Sequence, residues 1–198
     1  MSNGYAGEQL DGQTLYKRQQ HLRDCFKYSP APTIVADHLR LPENIGSVLR
    51  LADAGGSQKV IFINDPSDQN LNRVRRTARS CDALVYWEFS SYEDFLSKHV
   101  CCLPTLIAIE LTSTSTSIFE TALPTQCCFL IGNERHGISP TLLKQCQQAI
   151  HIPMYGVNGS MNVTHALAIV LFEWRRQSSA LQTVSNNLAA PEHINMLS

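Results

Sequence analysis

The order of segments along the chain predicts an α/β fold, with a mostly parallel sheet and helices on both faces. Three observations predict it. Short apolar runs alternate with amphipathic stretches long enough to be helices. Several of those runs, Lys59–Asn64 and Cys127–Ile131 above all, are apolar at nearly every position, which marks strands covered on both sides. The 198 residues are 43% hydrophobic and 17% charged, a composition that suits one packed domain with a short appendage and excludes a disordered chain or a coiled coil.

Residues 1–12 read as a flexible start. From 13 to 28, Leu15, Leu22 and Phe26 recur at helical spacing among Lys17, Arg18, Arg23 and Lys27, so this is a basic helix, stopped by Ser29-Pro30-Ala31-Pro32. A strand follows at 33–36. Residues 44–54 form a helix with Asn44 as its plain N-cap and Gly55-Gly56 as its C-cap. A strand at 59–64, a helix at 71–81, a strand at 84–89, a helix at 91–100 and a strand at 105–111 come next. A Thr/Ser loop occupies 112–117. The strand 127–131 runs into Gly132. A helix at 139–147 takes Ser139 as N-cap and Pro140 at its first position. The strand 149–153 and the long helix 162–177 complete the pattern, and the polar segment from Ser178 reads as a loose tail. The expected division is therefore 1–30, 31–178 and 179–198.

The formal charge is −1, so any nucleic-acid role needs a local basic patch. Seven cysteines, an odd number, include the adjacent pairs Cys101-Cys102 and Cys127-Cys128 in apolar contexts, with no C-x-x-C and no zinc spacing. The expectation is reduced, mostly buried thiols in a cytoplasmic protein, and no metal. Met1 to Gly12 lacks an apolar signal region, and no run approaches the ~20 apolar residues of a membrane span.

In parallel α/β sheets ligands sit at the carboxyl ends of strands, and three loops there carry chemistry. In Leu41 to Arg50, helical spacing puts Ile45, Val48, Leu49 and Ala52 on the core side. Gly46, Ser47, Arg50 and Ala54 lie on another face, where a ligand or chain can approach closely. A surface arginine paired with Asp53 or Glu43 is the plainer reading. In Phe129 to Ser139, an apolar strand runs into Gly132, Glu134 and Gly137; this is neither a phosphate-binding Walker loop nor G-x-G-x-x-G, and Glu134 alone reads equally as a loop carboxylate. The third loop runs from Ile152 through Gly156, Gly159 and Ser160 to Asn162. The helix behind it stacks Val163, Ala166, Leu167, Val170, Leu171 and Trp174 on one stripe, widened by Ala168, Ile169 and Phe172. Such a helix is buried, either in a monomer's core or partly against a second subunit. Elsewhere, Arg73, Arg75, Arg76 and Arg79 crowd the 71–81 helix opposite Leu71, Val74, Ala78 and Cys81. This is an RNA phosphate patch or a solvated face.

Taken together, the three loops resemble the motifs of the SpoU/TrmH-type RNA 2′-O-ribose methyltransferases of the SPOUT class. The first motif is matched by Asn44, Gly46 and Arg50. The second is matched by Gly132, Glu134 and Gly137. The third is matched by Ile152-Pro153-Met154, Ser160-Met161-Asn162-Val163-Thr164, Glu173 and Arg176-Gln177, with Thr164 in place of the commoner Ser. The similarity covers about residues 33–177.

The resemblance implies a deep trefoil knot in the C-terminal half, a homodimer with its active site at the interface, and S-adenosylmethionine held by backbone around Leu111, Gly132, Ile152, Ser160 and Met161. It implies methyl transfer to a ribose 2′-hydroxyl, with Arg50 activating and Asn44, Glu134, Ser160 and Asn162 orienting it. A guanidinium stays protonated to pH ~12 or beyond. Arg50 therefore suits clamping a phosphate and stabilising oxyanion charge better than it suits taking the proton. Size and the basic N-terminal helix favour tRNA over rRNA. The rivals are base methylation by a related knotted enzyme, against which the Asn44/Arg50/Asn162 set speaks, and a non-catalytic RNA-binding or assembly factor, against which the intact motif residues speak.

Overall fold

Seven strands form one sheet in which every neighbouring pair is parallel. They are β1 (Thr33–Asp37), β2 (Lys59–Ile63), β3 (Tyr86–Ser90), β4 (Thr105–Ile109), β5 (Thr116–Ser117), β6 (Cys127–Ile131) and β7 (Gln148–His151). Their order is β3-β2-β1-β6-β4-β7-β5. The helices are α1 (Gly12–Phe26), α2 (Pro42–Gly55), α3 (Leu71–Ala78), α4 (Tyr92–Asp94), α5 (Pro140–Leu143) and α6 (Val163–Ala189). The computed structural model describes residues 7–26, 30–57 and 59–189. It divides into two compact units, Met1–Pro30 and Ala31–Ser198. In the first, Asp11 caps α1 by accepting from the backbone of Gln13 and Thr14, both at 2.9 Å, and Leu15, Tyr16 and Leu22 are exposed. Lys27 lies outside the described residues.

The sheet is covered on both faces, as its apolar strands require. One face packs Ile34, Ala36, Val60, Phe62, Phe129 and Ile150 against α2, α3 and α6. The other packs Val35, Ile61, Ile63, Leu106, Cys128 and Leu130 against Phe95 and Leu142. Ile45, Val48, Leu49 and Ala52 are fully buried, as are Leu167, Val170, Leu171 and Trp174. These parts of the helical stripes read from the sequence form the core, but Phe172, read as widening the α6 stripe, is exposed. Trp174 also spends its indole N–H on the Pro124 carbonyl at 2.9 Å, which pairs its one polar group. Helix α2 ends as expected: Gly56 takes φ 72°, and its N–H turns back to Ala52 and Asp53.

Several expectations are corrected. Asn44 is not an N-cap; the helix starts at Pro42 with Leu41 in the cap position, and the Asn44 side chain is used elsewhere. Helix α3 stops at Ala78 because Arg79 and Ser80 adopt left-handed φ of 50° and 70°. Arg79 is thus a C-cap, and Cys81 opens a separate 3-10 turn. The segment after Tyr92–Asp94 continues as a π turn, Phe95–His99, and a 3-10 turn, Val100–Cys102. The 139–147 helix shrinks to Pro140–Leu143, and Ser139 makes no side-chain cap. The loop 112–117 contributes the two-residue β5. Helix α6 does not stop near 177: it runs to Ala189, because no Gly or Pro interrupts it before Pro191. Cys81, Cys101, Cys102, Cys127, Cys128 and Cys146 are free. Burial pushes the Cys127 and Cys146 thiols up to about 12, whereas Cys101 and Cys102 are exposed, since their turn lies outside both cores. Among the described residues no helix is long and apolar enough to cross a membrane.

Candidate active site

A cavity of about 910 Å³ opens at the carboxyl ends of β4, β6 and β7, the position a parallel sheet assigns to a ligand. Its walls are Ile109–Leu111, the turn after β6, Ile152–Met154 and the segment from Gly159 to Val163, with Leu41 and Asn44 opposite. Of the residues singled out in the sequence, Asn44, Leu111, Gly132, Glu134, Ile152, Ser160, Met161 and Asn162 all line this one cavity. The described Arg50, Arg73, Arg75, Arg76 and Arg79 do not.

The turn after β6 is locked from within. Asn133 and Gly137 exchange backbone hydrogen bonds of 2.9 and 3.0 Å. The Asn133 side-chain oxygen accepts from the N–H of Arg135 at 2.9 Å, and its amide donates to the His38 carbonyl. Only glycine fits at 132, where a Cβ would lie 2.2 Å from the Gly137 carbonyl carbon. Gly137 itself sits at φ +66°.

Glu134 ties this turn to the start of α2. Its carboxylate accepts from the backbone N–H of Arg40 (3.1 Å) and Leu41 (3.2 Å) and from Asn44 Nδ2 at 2.8 Å. Partial burial alone would raise this carboxyl, but the hydrogen bonds from Asn44 and the backbone outweigh it and hold it below the usual glutamate value. Asn44 Oδ1 in turn accepts from Asn162 Nδ2 at 3.4 Å. Asn162 Oδ1 accepts from Thr164 N (2.8 Å) and Oγ1 (2.7 Å), capping the first turn of α6. One relay of side chains, Glu134–Asn44–Asn162–Thr164, therefore joins the three loops.

Arg50 is exposed and makes no hydrogen bond or ion pair among the described residues, so neither expected partner, Asp53 or Glu43, holds it. Glu43 instead pairs with Arg73, and Asp82 lies 3.8 Å from Arg75. Half of the arginine cluster is thus already engaged, while Arg76 and Arg79 stay exposed. Helix α3 meets α2 at Gly46, where a Cβ would sit 2.6 Å from both Thr77 Cβ and the Val74 carbonyl.

Residues 31–172 match the SpoU rRNA Methylase family. The chain belongs to this family. Among relatives of this SpoU-family chain, a mouse tRNA (guanosine(18)-2′-O)-methyltransferase is 27% identical over 73% of the chain and 9% of its own length. The 23S rRNA (guanosine-2′-O-)-methyltransferase RlmB of Neisseria meningitidis is 28% identical over 81% of the chain and 65% of its own length. The chain thus spans less than two thirds of either relative. A crystal structure of an AdoMet-bound rRNA methyltransferase from Sinorhizobium meliloti superposes with a TM-score of 0.67 at 26% identity, covering 78% of this chain and 59% of that one.

Within the SpoU-family pocket, sequence reasoning missed Glu110, Arg135 and His151. Glu110 follows directly on the apolar β4, and that abrupt carboxylate was the available signal. Its two oxygens accept from Leu111 N (3.1 Å) and Ile138 N (3.2 Å), so it pins the end of β4 to the far side of the Gly132–Gly137 turn. Buried Asp37 does the same from β1, accepting from Ser139 N at 2.7 Å.

Proposed function

We propose that this chain is an S-adenosylmethionine-dependent RNA methyltransferase acting on a ribose 2′-hydroxyl, in tRNA before rRNA. The observation that carries the reading is the Glu134–Asn44–Asn162 relay, which gathers all three motif loops at one cavity. The relatives' names, guanosine 2′-O-methyltransferases of tRNA and of rRNA, supply the reaction class and both RNA types.

The cavity fits the group. Its volume is within the range of ligand pockets, ~300–1,000 Å³. Its walls at Leu111, Gly132, Ile152, Ser160 and Met161 offer backbone at strand ends, and two carboxylates, Glu110 and Glu134, line it, as suits a cationic sulfonium. When bound there, S-adenosylmethionine supplies an activated methyl group. The chain's own work is to orient a 2′-hydroxyl, a poor nucleophile until its proton is drawn away. Positioning of this kind contributes on the order of 7–11 kcal/mol. Asn44 and Asn162 fix the acceptor side of the cavity, and Glu134 fixes Asn44. Arg50 stabilises developing negative charge on the oxygen, with water or a phosphate oxygen taking the proton.

Arg50 lies off the cavity of its own chain, and Leu111, Met154, Tyr155 and Val157 stand exposed around that cavity or the loop beside it. Both features support a homodimer in which a second copy covers the rim and brings its Arg50 to the site. The proposal includes the trefoil knot: β6 enters between β1 and β4, both earlier in the chain, as a threaded topology requires. Exposed Arg76 and Arg79 remain for RNA phosphates. The test is Arg50→Ala in a transfer assay with tritiated methyl donor and unmodified tRNA. Cofactor binding is expected to persist while transfer falls at least ~100-fold; turnover near wild type overturns the assignment.

A further inference from the structure

We propose that Arg135 binds a phosphate of the RNA strand next to the acceptor ribose; the inference rests on the function proposed above and assigns a contact within the same site. Among the described residues lining the cavity, Arg135 is the one arginine or lysine, set against the carboxylates of Glu110 and Glu134. That balance attracts a sulfonium cation and repels a polyanion, so a strand delivered to this cavity needs a cation at its edge. Arg135 provides it from an exposed position on the cavity wall. Its guanidinium has no hydrogen-bond or ion-pair partner among the described residues, in contrast to Arg73 and Arg75, which face Glu43 and Asp82.

Neither cavity carboxylate forms an ion pair with it: Glu134 is turned to Arg40, Leu41 and Asn44, and Glu110 to Leu111 and Ile138. The backbone beneath Arg135 is also fixed, by the Asn133–Gly137 exchange and by the Asn133 oxygen on its own N–H. A free, planar, five-donor group on an immobilised turn is built for bidentate contact with a phosphate.

The experiment compares wild type, Arg135→Gln and Arg135→Lys in methyl transfer to bulk unmodified tRNA across a salt series, with cofactor affinity measured by calorimetry and folding by thermal melt. Arg135→Gln is expected to raise the RNA KM about tenfold, the worth of one charge-assisted pair. It should also make the slope of log kcat/KM against log salt shallower by about one. Cofactor affinity and melting temperature stay at wild-type values, and Arg135→Lys regains most of the slope. An unchanged salt slope overturns the inference. So does an unchanged slope accompanied by about tenfold weaker cofactor binding, which would assign Arg135 to the cofactor's carboxylate. A wild-type chain that transfers no methyl to RNA overturns the underlying function instead.

Discussion

At the scale of single residues, the site is organised around one carboxylate that does not itself need to react. Glu134 gathers two backbone N–H groups and the Asn44 amide, and these donors lose their partner if it goes. Glu134→Gln is expected to cost about 1–3 kcal/mol at pH 7, or roughly 2–4 °C in melting temperature per kcal/mol for a chain of this size. The pH dependence has a definite sign. The folded carboxyl sits below its ordinary value of 4.5. Its stabilisation is therefore complete above that value and is lost as the pH falls through the lower folded value. The gap between wild type and Glu134→Gln should close in melts taken below 4.5; a gap that persists in acid would show that charge is not what grips the loop. Of these partners the sequence displayed the residue types and their order, but not the bonds. Asn44 read as a cap because Asn before an apolar helical pattern usually is one, and only the fold brings Glu134 ninety positions along the chain into its reach.

Elements show where local patterns sufficed and where tertiary contacts overrode them. The strands and the buried stripes of α2 and α6 were legible because each must hide a continuous apolar surface. Helix ends were less so: α3 stops at two left-handed residues, Arg79 and Ser80, that carry no glycine signal, and α6 outruns its apolar stripe. Glycines were legible as punctuation but not as contacts, and they yield a sharp comparison. A methyl group at 132 meets backbone of the same turn at 2.2 Å, whereas one at 156 meets nothing within 4 Å. Gly132→Ala is expected to destabilise by at least about 1–3 kcal/mol and to weaken cofactor binding more than tenfold, since two cavity walls must part. Gly156→Ala should stay within about 0.5 kcal/mol of wild type. Equal effects in denaturant melts and calorimetry would mean that the turn is not the rigid part of the pocket.

For the whole molecule, the decisive fact is what one chain lacks. Eight residues read from the sequence converge on a single cavity, yet Arg50, six positions along α2 from Asn44, stays outside it. Periodicity cannot reveal this, because a helix face is the same whether it serves its own pocket or another chain's. If the site is shared between two copies, its halves can be supplied separately. Arg50→Ala spoils the half it donates, and Asn162→Ala spoils the half that holds the relay. Each variant alone is expected to be nearly inactive. Co-folded in equal amounts, they should recover roughly a quarter of wild-type transfer, because random pairing makes about half the dimers mixed and each mixed dimer keeps one intact site. Sedimentation of the mixture reports the pairing independently. Mixed dimers that form but stay inactive would place Arg50 and the relay in the same chain's site, and Arg50 would then have to reach its own cavity by a movement of α2 against α3 at their Gly46 contact.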